Sequence, residues 1–91
     1  MKALPPELMH YKSSPEFNEH SAPLALQRPH TTAARVWGRI RIFAGTLRYV
    51  IDGDAGEQHM LDEEHSGIIE PGVVHHVELV GPVRFTIEFH R

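Results

Sequence analysis

Histidine is the residue type in this chain that is best placed to do chemistry. Eight histidines occur among 91 residues, and cysteine is absent. The missing cysteine excludes disulfides, thiolate zinc sites and cysteine nucleophiles. Imidazole nitrogens bind transition metals and exchange protons near neutral pH. The composition therefore directs attention to a histidine-based metal or catalytic site.

His75 is the strongest candidate, because it stands on an apolar face of a predicted strand. Side chains alternate along a strand, so His75 shares its face with Val77 and Leu79, while His76 and Glu78 point the other way. A buried imidazole needs a partner for each ring nitrogen. A metal ion would be one such partner, and a carboxylate or a backbone carbonyl would be the alternatives.

A series of short strands must position this histidine. Apolar and polar residues alternate with the period of two that is typical of half-buried strands. The pattern predicts strands over residues 35–43, 47–51, 57–61, 67–70, 75–80 and 83–90. Turns are predicted at Ala44-Gly45, at residues 52–56, at Pro71-Gly72 and at Gly81-Pro82. Many short strands separated by regular turns indicate an all-β sandwich or barrel.

The predicted core lies on one face of these strands. In the first strand Ile40 and Ile42 share a face, with arginines on the other side. Four apolar residues of the last strand also share one face: Val83, Phe85, Ile87 and Phe89. On the opposite face, Glu78 and Glu88 are expected to pair with arginines of neighbouring strands.

The first 29 residues have a different composition, rich in proline, serine and glutamate. Five prolines prevent a long helix: Pro5, Pro6, Pro15, Pro23 and Pro29. We therefore expect one domain spanning residues 1–91, in which residues 1–29 form an extended N-terminal arm that Phe17 anchors to the core.

Charge and hydropathy exclude two classes of partner. The net charge is −3, with 12 carboxylates against 9 lysines and arginines, unlike the basic surface of a nucleic-acid-binding protein. No stretch approaches the roughly 20 apolar residues that cross a bilayer. A cytoplasmic protein is expected. So small a barrel would gain stability by association, and the outward-facing Trp37 and Arg39 could supply the contacts of a homodimer or belong to a second packed sheet.

Two segments resemble the conserved motifs of the cupins. Residues 67–75, Gly-Ile-Ile-Glu-Pro-Gly-Val-Val-His, resemble the second cupin motif, whose final histidine binds metal and corresponds to His75. Residues 42–51 resemble the end of the first cupin motif. Gly38 stands where that motif usually has a glutamate, and His30 is the nearby histidine.

A wider resemblance covers nearly the whole chain. Segments 4–8, 14–17, 28–31 and 36–40, followed by Glu70-Pro71, His75 and residues 83–89, are similar to the cupin-like domain of the tellurite-resistance protein B family. The resemblance implies a cupin-like double-stranded β-helix, that is, a small jelly-roll barrel. It also implies a link to tellurite or other oxyanion stress. It implies no methyltransferase activity, for which 91 residues leave no room.

This resemblance implies a metal site built on His30 and His75, which would converge at one end of the barrel. A pair of imidazoles suits a divalent transition metal, with zinc expected first and iron or nickel as further choices. Glu70 is the first carboxylate to add to the site, although it could equally cap a turn at the surface. Glu78 and Glu88 are the other carboxylates that could complete it.

Three functions follow from these expectations. The first is a metal-binding cupin that binds or senses a small molecule or oxyanion. The second is a metal-dependent, dioxygenase-like enzyme that uses the same ligands. The third is a metal-free binding module in which His75 lines a pocket. No nucleophile motif or phosphate-binding glycine loop occurs, so no catalytic residue is assigned.

Overall fold

The structure, a computed structural model, describes residues 1–53 and 56–91, and its regular secondary structure is almost entirely antiparallel β-strand. The strands are β1 (His10–Ser13), β2 (Phe17–Asn18), β3 (Trp37–Ile51), β4 (Glu57–Leu61), β5 (Gly67–Ile69) and β6 (His75–His90). A 3-10 helix spans Leu24–Gln27. Within the described ranges, no helix has the length and apolar character needed to cross a membrane.

Two long strands, β3 and β6, form the centre of the sheet. They pair along their whole length, from Trp37 opposite His90 to Ile51 opposite His75. The sheet order is β1-β6-β3-β4, with β2 also paired to β6 and β5 also paired to β3. The start of β6, which carries His75, is therefore held against the end of β3.

The alternating pattern predicted from the sequence is confirmed in the core. Ile40 and Ile42 of β3 and Val83, Phe85 and Ile87 of β6 are all buried, while Phe89 packs against them partly buried. Burying a side chain of this size stabilises the fold by about 1.5–3 kcal/mol. Glu78 and Glu88 on the opposite face pair with arginines, as expected.

Two predicted turns, at Ala44-Gly45 and Gly81-Pro82, are wrong. At both places the chain continues as one strand, and β3 and β6 are instead irregular, with register shifts between Ile42 and Leu47. Gly45 has a φ of +79°, and a Cβ at that position would overlap the carbonyl oxygen of Pro82. The glycine thus marks a β-bulge, which favours the same positive φ as a turn.

The N-terminal segment adds two short strands to β6. Residues of β1 and β2 pair with the second half of β6, and the ring of Phe17 lies 5.6 Å from that of Phe85. Phe17 therefore contacts the core as expected. The turn predicted at residues 52–56 includes Asp54 and Ala55, which lie outside the described residues; the flanking Ile51 and Glu57 are paired.

Candidate functional site

His75 occupies the first position of β6, with its side chain on the buried face. The residue is 1% exposed, and Val77, two positions further on, is buried on the same side. His76 points the other way, as alternation along a strand requires. The face predicted for His75 from the sequence is therefore correct.

A backbone bridge brings His30 to His75. The N–H of His30 donates to the carbonyl of His75, and the N–H of His75 donates to the carbonyl of His30, both at 2.9 Å. This is the hydrogen-bonded pair of an antiparallel ladder, so the two side chains are held next to each other. The ring centroids are 4.3 Å apart and the ring planes are tilted by 58°.

Each imidazole uses Nδ1 to bind a backbone carbonyl. Nδ1 of His75 lies 2.9 Å from the carbonyl oxygen of Val73, and Nδ1 of His30 lies 2.8 Å from that of Arg28. A carbonyl oxygen only accepts hydrogen bonds, so Nδ1 must carry the proton in both rings. In the neutral rings, Nε2 is therefore an unprotonated nitrogen with a free lone pair.

The Nε2 atom of His75 is buried and has no hydrogen-bond partner within the described part of the chain. Burial lowers the pKa of the His75 imidazole, and the carbonyl of Val73 opposes that shift only in part. The neutral ring is thus the favoured form at neutral pH. A buried polar atom without a partner is costly, which makes it a place where a ligand or metal ion would stabilise the protein.

Both imidazoles face a cavity of about 300 Å³. Its walls are mainly apolar: Leu26, Val36, Ile69, Ile87 and Phe89. Tyr11, Lys12 and Thr31 supply polar groups. An apolar cavity with a few converging polar atoms is the usual form of a small-molecule site, and this volume is at the small end of the range.

Glu70 lies apart from the two histidines. Its Oε1 atom accepts a hydrogen bond from Nζ of Lys2 at 2.8 Å. Glu70 also lines a second cavity, together with Tyr49 and Glu57. The structure therefore brings His30 and His75 together but places the Glu70 carboxylate in an ion pair elsewhere. Its role as a ligand stays a prediction.

Glu78 and Glu88, the other carboxylates considered for the site, are also engaged. Glu78 binds Arg48 at 3.1 Å and His76 at 3.0 Å, and Glu88 lies 3.5 Å from Arg41. Across residues 1–53 and 56–91, no three histidine or carboxylate side chains are grouped so that they could hold a metal ion. Among the described residues, the imidazole donors that line the cavity are therefore two, Nε2 of His30 and Nε2 of His75.

The histidines outside the cavity pair mainly with carboxylates. His76 lies between Asp52 at 2.8 Å and Glu78 at 3.0 Å, and these contacts raise its pKa. His59 contacts Glu57, and His65 contacts Asp62. These histidines have carboxylate partners, whereas each imidazole of the cavity is hydrogen-bonded only at Nδ1 within the described residues.

A pair of neutral Nε2 atoms has the chemistry that a divalent transition metal requires. Metal-bound histidines usually donate their second ring nitrogen to a carbonyl or carboxylate, which fixes the tautomer and the orientation of the ring. Val73 and Arg28 provide such carbonyls for His75 and His30. Two such nitrogens are fewer than the three or four protein ligands of an ordinary zinc site, so within the described residues they would form only a partial donor set for zinc, iron or nickel.

Sequence reasoning missed most of the cavity wall. The strand pattern predicts Ile87 and Phe89 as core residues without indicating the cavity, and it gives Tyr11 and Lys12 no role beyond the N-terminal arm. Lys12 pairs with Phe89, which brings it beside the cavity. Alternation along β6 indicates which of its residues face the cavity. It does not indicate that β1 pairs with β6, and this pairing places Lys12 in the wall.

Comparison with known proteins finds one family by a family model and by a curated relative. The model of the TehB-like domain matches residues 12–87. The probable S-adenosyl-L-methionine-dependent methyltransferase TehB of Haemophilus influenzae is 30% identical over 76 residues, which cover 79% of this chain and 27% of that protein. The chain thus spans about a quarter of the curated relative, and the methyltransferase activity in the name is that of the relative.

Two solved structures are similar in fold. The crystal structure of TehB from H. influenzae has a TM-score of 0.83 and 27% identity, covering 93% of this chain and 32% of that one. A protein from E. coli (strain K12) has a TM-score of 0.87 and 20% identity, covering 100% of this chain and 97% of that one. The family match spans most of the sequence, and the chain belongs to the TehB-like domain family.

Proposed function

We propose that this domain binds a small molecule through a divalent transition metal held by Nε2 of His30 and Nε2 of His75. Zinc is the first candidate, followed by iron and nickel. One observation carries the proposal: both rings donate Nδ1–H to a backbone carbonyl, which leaves Nε2 unprotonated on two neutral rings whose centroids lie 4.3 Å apart at one cavity. The absence of a protein partner for the buried Nε2 of His75, within the described residues, supports it further.

The protonation of the two rings also bears on the oxyanion that the family resemblance implies. A neutral Nε2 accepts hydrogen bonds, and the oxygens of a deprotonated oxyanion accept them too, so the two would not bind each other directly. A metal ion accepts electron pairs from an imidazole nitrogen and from an oxyanion oxygen, so it could join the two. Tellurite or a similar oxyanion therefore enters this proposal as a ligand of the metal.

The cupin-like jelly roll is part of the same proposal. The all-antiparallel sheet and the interrupted register of β3 and β6 support it, because bulges bend long strands and allow a sheet to close. In such a barrel, His30 and His75 would lie where a ligand can enter from one end.

A metal-free binding site is the second candidate. It is favoured by the two-nitrogen donor set, because a zinc site usually has at least three protein ligands. A ligand that carries N–H or O–H donors would satisfy the same two Nε2 atoms. A dioxygenase-like enzyme would need the metal and, in addition, coordination positions open to its substrate.

Elemental analysis by mass spectrometry tests the proposal. The wild-type chain, purified without a histidine tag and incubated with zinc before dialysis, should retain about one metal ion per chain. His75→Ala and His30→Ala should each lose it, and His65→Ala is the control because His65 lies in an exposed loop. Circular dichroism would establish that every variant is folded. Wild-type protein without metal after reconstitution would overturn the metal site and favour the metal-free candidate.

A further inference from the structure

The cavity beside His30 and His75 carries formal charge of one sign. Among the described residues that line it, Lys12 is the one with a charged side chain other than histidine, and no aspartate or glutamate of residues 1–53 and 56–91 contributes to the wall. A second cation lies close by, because the guanidinium of Arg91 is 4.0 Å from the ring centroid of Tyr11, which also lines the cavity. The chain as a whole has a net charge of −3. The formal charge at the cavity, carried by Lys12, is thus positive although the protein is negative overall.

Lys12 differs in its contacts from the other lysine of the chain. The sequence has two lysines, Lys2 and Lys12. Nζ of Lys2 lies 2.8 Å from Oε1 of Glu70, so its charge is paired. Lys12 forms no salt bridge with any carboxylate of residues 1–53 and 56–91. Lys12 is exposed to solvent and lines the cavity, so within the described residues its charge is left for an anion that binds there.

The remaining surface of the cavity suits an apolar group. Ile69 and Ile87 are almost fully buried, and Phe89 and Leu26 pack against the same core. Apolar area removed from water contributes about 25 cal/mol per Å², so a hydrocarbon body would add affinity there. A carboxylate could not lie on this wall without a partner, since burying an unpaired charge is costly.

We infer that the ligand of this cavity is a small organic monocarboxylate, with its carboxylate toward Lys12 and its hydrocarbon body against Ile69, Ile87 and Phe89. The inference rests on the proposed function in one respect, because it takes the same cavity as the small-molecule site. It does not require the metal, since the charge and the apolar wall belong to the protein itself.

Ligand titrations followed by ¹H–¹⁵N NMR test this inference. The probes are hexanoate and 1-hexanol, which have six-carbon chains and differ in charge at neutral pH, and the amide signals of Ile69, Ile87 and Thr31 report on the cavity. Hexanoate should bind about threefold to fivefold more tightly than hexanol, as expected for an ion pair with a solvent-exposed lysine. Lys12→Met should remove this preference, and Lys2→Met, a change of the same charge and shape, should retain it.

Three results would overturn the inference: no binding of hexanoate, equal binding of the two probes by the wild type, or a hexanoate preference that survives in Lys12→Met. Metal analysis of the same samples distinguishes a failure of the carboxylate inference from a failure of the proposed metal site. Retained zinc with no hexanoate preference would reject only the carboxylate. A Lys12-dependent preference without zinc would reject only the metal.

Discussion

His30 and His75 exchange both hydrogen bonds of an antiparallel backbone pair, and their rings lie 4.3 Å apart although they are distant in the sequence. The pairing uses main-chain atoms, so it does not depend on either imidazole. The orientation of each ring depends instead on a backbone carbonyl, from Arg28 in one case and Val73 in the other. The two rings are thus arranged before any ligand arrives, which lowers the entropic cost of binding one.

The first prediction concerns the tautomers of these two rings. In the metal-free protein at pH 7.5, both His30 and His75 should carry the proton on Nδ1, because a carbonyl oxygen faces that atom in each case. Long-range ¹H–¹⁵N NMR correlations, assigned with His30→Gln and His75→Gln, distinguish the protonated from the unprotonated ring nitrogen. A proton on Nε2 of His75 would contradict the arrangement on which the proposed site depends.

The second prediction separates Glu70 from the metal site. Glu70→Gln should leave the zinc affinity unchanged within about twofold, because the carboxylate binds Lys2 and lines the second cavity. Isothermal titration with zinc measures this, and His75→Ala provides the comparison in which binding should be lost. If Glu70→Gln weakened zinc binding at least tenfold, the carboxylate would have to leave Lys2 and join the histidines.

The sequence allowed His75 to be predicted but gave less guidance on its neighbours. Alternation along β6 fixes the face of His75, since each residue of a strand points opposite to the one before it. His30 lies outside the strands with a clear period, in an isolated bridge, and only the family resemblance indicated it. The ion pair of Glu70 joins residues at opposite ends of the chain, which no local pattern reveals.

The long strands show a second limit of sequence reasoning. Gly45 and Gly81 carry the same local signal as a turn glycine, because turns and bulges both favour a positive φ. Their φ values are +79° and +154°. Whether the chain reverses or continues there depends on the pairing of β3 with β6, which is a tertiary contact. The core residues on either side of these glycines are predicted correctly, because their burial depends on alternation. A turn and a bulge both preserve that alternation in the flanking segments.

The third prediction tests the bulge with two matched glycines. Gly45 and Gly72 have nearly the same φ, +79° and +77°, but only at Gly45 would a Cβ meet the carbonyl of Pro82. Gly72→Ala should cost about 1–2 kcal/mol of unfolding free energy, the cost of placing a side chain in the left-handed region. Gly45→Ala should cost at least about 2 kcal/mol more, or prevent folding, because the overlap adds to the same strain. Urea denaturation measures both, and equal losses would mean that β3 and β6 do not approach closely at Pro82.

The fourth prediction concerns pH and the loop between β4 and β5. Nδ1 of His65 lies 2.8 Å from Oδ1 of Asp62, and this hydrogen bond, together with the negative charge, raises the pKa of His65 above its ordinary value of 6.5. The same contact lowers the pKa of Asp62 below its ordinary 3.8. A histidine whose pKa is raised by folding stabilises the fold below its unfolded pKa, and the contribution disappears as the pH rises through the folded pKa. A carboxylate whose pKa is lowered loses its contribution as the pH falls through its folded pKa. The pair therefore holds the loop best between about pH 4 and 6.5.

A proton NMR titration of the His65 ring measures this effect directly. Asp62→Asn should lower the pKa of His65, because the neutral amide removes the charge that favours the imidazolium form. Glu63→Gln removes one negative charge from the same loop and leaves that hydrogen bond in place, so it should lower the pKa less. Equal effects of the two variants would mean that the net charge of the loop, and not the contact between Asp62 and His65, sets the pKa.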